Sequence, residues 1–156
     1  MTAKRIVLVV GSLVVGSPVV GSLALALLAG TARAEDKSLY QRLGGYDAIA
    51  AVSDEFIARL ATDEQEKRFF IGFSTDSKLR IRQLLVDLVS KSTGGPCVYT
   101  GRDMKTAHAG MGVTNADFDA LVGDLVKSLD KFKVPDKEKG ELLGILGPLR
   151  PSIVGQ

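Results

Sequence analysis

From residue 46 onward, apolar side chains recur three or four positions apart. Ile49, Val52, Phe56 and Leu60 follow Tyr46 on one face, the spacing of an amphipathic helix and not of a strand. Ser38 is placed to cap a short turn before it, and Gly44-Gly45 breaks that turn. Thr62-Asp63 ends or bends the helix, and Phe69-Phe70 closes a further short turn. A loop rich in Gly, Ser and Asp, from Gly72 to Ser77, leads to a second stripe at Leu79, Leu84, Leu85, Leu88 and Val89, which Gly94-Gly95-Pro96 stops. An irregular stretch runs to Gly101. Thr114 with Asp117 three residues later has the form of a capping box. It opens the best helix of the chain, through Phe118, Leu121, Val122, Leu125, Val126, Leu129 and Phe132. Pro135 suits the first position of a last helix carrying Leu142, Leu143, Ile145, Leu146 and Leu149. No alternating strand pattern and no internal repeat is present. The predicted class is all-α.

The first thirty-four residues follow a different plan. Lys4 and Arg5 precede an apolar run from Ile6 to Gly30, which ends in Ala32-Arg33-Ala34 before Glu35 and Asp36. This is the layout of a secretory signal peptide. The run is also long enough for an uncleaved membrane anchor, but Gly11, Gly16, Pro18 and Gly21 interrupt it, and the Ala-x-Ala ending favours cleavage. Residues 1–34 are therefore read as a leader and residues 35–156 as one domain, exported to the periplasm. A retained leader would instead tie the protein to a membrane. Lys4-Arg5 is not a twin arginine, so export of the unfolded chain is expected, with any cofactor loaded afterwards.

Setting the leader aside changes the charge. The whole chain is formally +2, but three of its twenty bases (Lys4, Arg5, Arg33) lie in the leader and all eighteen acids lie beyond it. Seventeen bases against eighteen acids leave the domain near −1. No basic stripe remains to argue for nucleic acid. Cys97 is the only cysteine, so no disulfide forms within the chain. A buried thiol is the simpler reading, and pairing with another molecule is the alternative.

The chain has one histidine, His108, in the run Arg102-Asp-Met-Lys-Thr-Ala-His-Ala-Gly-Met-Gly112. One imidazole cannot build a zinc centre from histidines. It can supply the single protein ligand that a haem iron requires. Taken alone, a lone histidine is more often a packed or surface residue than a ligand. The local geometry is nevertheless suitable. On a helical turn its δ nitrogen can donate to the Met104 carbonyl, which fixes the tautomer and leaves the ε nitrogen for a metal.

The segments Leu39-Tyr-Gln-Arg-Leu-Gly-Gly45, Phe69-Phe70, Gly94-Gly-Pro-Cys-Val-Tyr-Thr-Gly-Arg-Asp-Met-Lys-Thr-Ala-His-Ala-Gly110 and Val134-Pro135 together resemble the truncated haemoglobins of the first group, in order and spacing over residues 38 to 154. The resemblance implies a two-over-two helical sandwich around one haem b per chain, with His108 as the proximal iron ligand. It implies that Phe70 packs flat on the porphyrin and that Phe56, Leu79, Leu85, Leu88, Met104, Phe118 and Val122 line the pocket. Lys78, Arg80, Arg82 and Tyr99 are candidates for the propionate rim, although a solvated charged face accounts equally for the arginines. An apolar pocket makes physical sense, because keeping water from the iron slows its oxidation and leaves a place for a diatomic gas.

The departure is on the ligand side. Relatives that hold oxygen tightly usually carry a tyrosine just after the phenylalanine matching Phe56, and here that residue is Ile57. The glutamine often supplied by the next helix is replaced as well, with Leu84 and Leu85 nearest in register and Gln83 the one polar residue able to face the iron if the helix turns differently. Loss of the donor predicts fast oxygen release.

Three functional classes follow, in order. The first is a protein that binds oxygen, nitric oxide or carbon monoxide for transport, storage or sensing. The second is a nitric oxide dioxygenase or weak peroxidase at the same iron. It would need an external reductant, since Gly110-Met-Gly112 follows no strand and is no dinucleotide loop. The third is an electron carrier, which would have to recruit Met104, Met111 or a lysine as second ligand. There is no Cys-x-x-Cys-His for covalent haem.

Overall fold

The computed structural model describes residues 37–156. The leader reading falls on residues outside that range. Six α-helices occur among the described residues: α1 Leu39–Arg42, α2 Gly45–Leu60, α3 Thr75–Ser92, α4 Met104–His108, α5 Asn115–Lys131 and α6 Asp136–Leu146. Short 3-10 turns cover Lys67–Phe70 and Gly147–Ser152. No described segment is a strand, and no described helix is long and apolar enough to cross a membrane.

Local chemistry accounts for most of the boundaries. Ser38 and Gln41 form a capping box around α1, with Ser38 Oγ accepting from the Gln41 amide at 3.3 Å and the Gln41 side chain accepting from the Ser38 amide at 3.0 Å. Gly44 then adopts φ 93°, a left-handed conformation that glycine reaches without strain, and α2 starts at once on Gly45. Ser74 accepts from the Ser77 amide at 3.1 Å, so α3 starts at Thr75. The loop expected as far as Ser77 is shorter, because its serine serves as an N-cap. The Thr114–Asp117 box is present at the head of α5. Pro135 is the N-cap of α6 rather than its first helical residue, and α6 ends at Leu146, where the Pro148-containing turn begins.

Helix α2 packs against both α3 and α5, α5 against α6, and α4 against the Gly147–Ser152 turn. The stripe Ile49, Phe56 and Leu60 of α2 meets Val86 and Val89 of α3, Leu125 and Leu129 of α5 and Leu142 of α6 in the main core. A second cluster, Val113, Phe118 and Ile153, gathers Met104, Val122 and Leu149 around it. Between the two clusters the helices do not close.

Candidate functional site

The gap is a cavity of about 570 Å³, within the size range of small-molecule and cofactor sites. Side chains of α2, α3, α4, α5 and both 3-10 turns wall it, and they are overwhelmingly apolar. His108 is one of the few polar exceptions.

Helix α4, which ends on His108, has five residues, too few to be stable alone. Asp103 caps it, accepting from the Thr106 amide at 3.0 Å, and this bond holds the Asp103 carboxyl below the usual carboxylate range. Met104 anchors the helix in the second cluster. His108 Nδ1 lies 2.8 Å from the Met104 carbonyl oxygen. A carbonyl can only accept, so Nδ1 carries the proton and the Nε2 lone pair remains for a ligand bond.

The sequence-predicted residues divide cleanly. Phe56 and Ile57 of α2, Phe70 of the first turn, Leu84, Leu85 and Leu88 of α3, and Tyr99, Met104, Phe118 and Val122 all contribute to the cavity wall with His108. Leu79 and Gln83 do not. The α3 stripe toward the cavity is Ile81, Leu84, Leu85 and Leu88, and positions 79 and 83 fall off that helical face. Leu79 is 59% exposed. Gln83 accepts from the Tyr46 hydroxyl at 3.1 Å and donates to Asp87 at 2.9 Å, so it is committed elsewhere. Two rim candidates are also occupied. Arg82 forks onto Asp54 at 2.8 and 3.0 Å, and the Tyr99 hydroxyl donates to the Arg102 carbonyl at 2.7 Å.

Two acids of the wall were not anticipated. Asp117 is buried and accepts from the Thr114 amide and hydroxyl, each at 2.8 Å, from Gln65 at 3.0 Å and from Arg68. These bonds, the Thr114 amide foremost, hold its carboxyl at about 2. Glu66 is only 4% exposed, and its Oε1 has no hydrogen-bond partner. Burial first, and then the neighbouring Asp117 charge, push it up to about 7. In the sequence Glu66 stands inside Thr-Asp-Glu-Gln-Glu-Lys-Arg, a run that reads as solvated, and nothing in its spacing marks it as interior.

The arrangement suits a flat apolar prosthetic group held by one nitrogen. The residues fit that group in three ways: an apolar cavity of sufficient size, one imidazole with its tautomer fixed, and aromatic side chains in the wall. Among the described residues no three His, Cys, Asp or Glu side chains converge to hold a metal ion themselves.

The family model described as bacterial-like globin matches residues 38–154. The chain belongs to this globin family. A group 1 truncated hemoglobin of Mycolicibacterium paratuberculosis is 36% identical over 129 residues, covering 83% of this chain and 93% of that protein, which places the globin among the truncated haemoglobins. The solved Fe(III) form of truncated hemoglobin from Tetrahymena pyriformis is 30% identical with a TM-score of 0.71, covering 77% of this chain and all of that one. A Synechococcus 2/2 hemoglobin, solved in the cyanomet state with covalently attached heme, is 28% identical with a TM-score of 0.69, over 77% of this chain and all of that one. The fold of this globin is therefore the two-over-two sandwich, and its cofactor is haem.

Proposed function

We propose that this globin holds one haem b through His108 Nε2 and reversibly binds dioxygen, nitric oxide or carbon monoxide on the opposite side. The observation that carries the assignment of the ligand is the 2.8 Å contact from His108 Nδ1 to the Met104 carbonyl oxygen. It leaves one basic nitrogen, from the chain's single histidine, in the wall of an apolar cavity. Bound there, haem supplies an iron with an open position for a small gas. The protein's own contribution is to exclude water with Phe56, Phe70, Leu84, Leu85, Leu88, Phe118 and Val122, and to orient the imidazole through Met104.

The wall given by α2 and α3 offers a gas ligand no free donor, since its one hydroxyl, Ser53, donates to the Ile49 carbonyl at 2.8 Å. Ile57, Ile81, Leu84, Leu85 and Leu88 line it, and Gln83 is turned away. This composition supports rapid release of oxygen over tight storage. Nitric oxide dioxygenation at the same iron is compatible with the site but needs electrons from an external reductant. The spectrum of the reduced, haem-loaded protein tests the reading. A five-coordinate form that shifts on adding carbon monoxide is expected, and a six-coordinate form indifferent to carbon monoxide would instead support electron transfer.

We further propose, from the Lys4-to-Ala34 pattern alone, that the globin domain works outside the cytoplasm. N-terminal sequencing of protein from the cell envelope tests this, since a start at Glu35 is expected and a start at Met1 or Thr2 in membranes would favour an anchor.

A further inference from the structure

Gas binding leaves one ionisable side chain of the cavity without a role. Glu66 lies between α2 and the Lys67–Phe70 turn, lines the same cavity as His108, and is 4% exposed with Oε1 unpartnered. Its electrostatic surroundings are mostly negative. Asp117 and Asp124 act on it from α5, and Asp63 and Arg68 from its own segment. The Arg68 guanidinium is already bound to Asp117. Arg59, in the last turn of α2, is bound to Glu55 with its buried Nε unpartnered, and Arg150, in the cavity wall, is bound to Asp119. Among the groups that act on Glu66, the cation Arg68 is outnumbered by Asp117, Asp63 and Asp124, so an ionised Glu66 leaves an excess of negative charge that a proton on the carboxyl removes.

A ferric haem carries one more positive charge than a ferrous one. In a cavity walled mostly by apolar side chains, that charge favours the ionised carboxylate, and its loss disfavours it. We propose that Glu66 is the proton-binding group of the haem cavity, taking up one proton from solvent when a one-electron donor reduces the iron. The electron passes from the donor to the iron, the proton forms an O–H bond on a Glu66 carboxyl oxygen, and oxidation reverses both. The inference rests on the haem reading above. Even without haem, burial places the group at about 7, where a small change in nearby charge shifts its occupancy most. The consequence is a pH-dependent supply of the ferrous state, the form that binds oxygen.

The test is a spectroelectrochemical titration of the haem-loaded full chain between about pH 6 and pH 8, with a mediator as electron donor. One proton per electron makes the reduction equilibrium up to tenfold less favourable per pH unit, a fall in midpoint of at most about 59 mV. Wild type is expected to fall toward that slope, and Glu66→Gln to be nearly flat over the same window, with a higher midpoint at the alkaline end. Glu66→Leu, which places an apolar group in a buried position, serves if the glutamine variant folds poorly. An infrared difference spectrum between ferric and ferrous wild type, with glutamate carrying a ¹³C carboxyl, is expected to show a protonated carboxyl appearing on reduction. A slope shared by wild type and variants, or no glutamate signal on reduction, overturns the proposal. Failure of the chain to take up haem at all would overturn the gas-binding reading first, whereas haem uptake with a pH-independent midpoint overturns the Glu66 inference alone.

Discussion

At the scale of single residues, position 57 decides how long a gas stays. A charge-assisted hydrogen bond contributes about 1.5–3 kcal/mol, and each 1.4 kcal/mol is about tenfold in an equilibrium. Ile57→Tyr puts a hydroxyl on the apolar wall and is expected to slow oxygen dissociation by about tenfold or more, measured by stopped-flow mixing with carbon monoxide. Gln83→Leu is expected to leave that rate unchanged, because Gln83 is engaged with Tyr46 and Asp87. A large acceleration in the leucine variant would show that Gln83 swings into the cavity. The identity of the polar residue was legible in the sequence, but its direction was not. A side chain one position off the cavity-facing stripe of α3 differs from it by about 100° around the helix, and the length of the preceding loop sets that angle. Leu79 lies off that stripe in the same way: its apolar character fits a cavity-lining position, its register does not. Glu66 was illegible for another cause. Its own segment is tied to α5 where Gln65 and Arg68 both reach Asp117, a tertiary effect that a charged local run conceals.

At the scale of elements, caps and glycines carried most of the readable information. The Thr114–Asp117 box was visible as a spacing and forms as such, because both of its bonds lie within one helical turn. Thr114→Ala removes an acceptor for the Asp117 amide and a donor to the Asp117 carboxylate. It is expected to cost about 0.5–2 kcal/mol in urea unfolding, and an unchanged midpoint would contradict the importance of the box. The Gly94-Gly95 stop has a second physical cause that the sequence does not display. A Cβ at Gly95 would overlap Ser90 Oγ and the ring of Tyr40, so α1 and the end of α3 meet over a bare backbone. Gly95→Ala is expected to lower the melting temperature by several degrees and to separate Tyr40 from α3, visible as altered tyrosine fluorescence. The α3 start escaped the sequence reading by three residues because Ser74 and Ser77 look alike, and only the capping geometry tells which one begins the helix.

At the scale of the whole molecule, the domain encloses an apolar cavity and places two carboxyls of opposite behaviour in its wall. Glu66 titrates higher in the folded chain, at about 7, than in the unfolded one. The folded state therefore binds more protons between the two values, and this group's contribution to stability declines as pH rises through that window. Asp117, held at about 2, works in reverse and loses its contribution as pH falls toward that value. Thermal unfolding of the apo-protein should consequently show Glu66→Gln gaining on wild type between about pH 5 and pH 8, and a gap independent of pH would contradict the burial of an uncompensated acid. The fold and the cofactor were legible because helical stripes and the Gly-Gly-Pro to His-Ala-Gly block are local patterns. The shape of the cavity depends on how far apart two hydrophobic clusters settle, which no local pattern encodes.

In this reading a single imidazole, that of His108, fastens the haem. This attachment is tested most directly by the absorption spectrum of His108→Gly mixed with haem, with and without free imidazole. Weak haem uptake by the variant, partial recovery when imidazole occupies the vacated space, and a carbon monoxide response in the recovered form are expected. A variant that takes up haem and responds to carbon monoxide as the parent does, with no imidazole added, would contradict that reading.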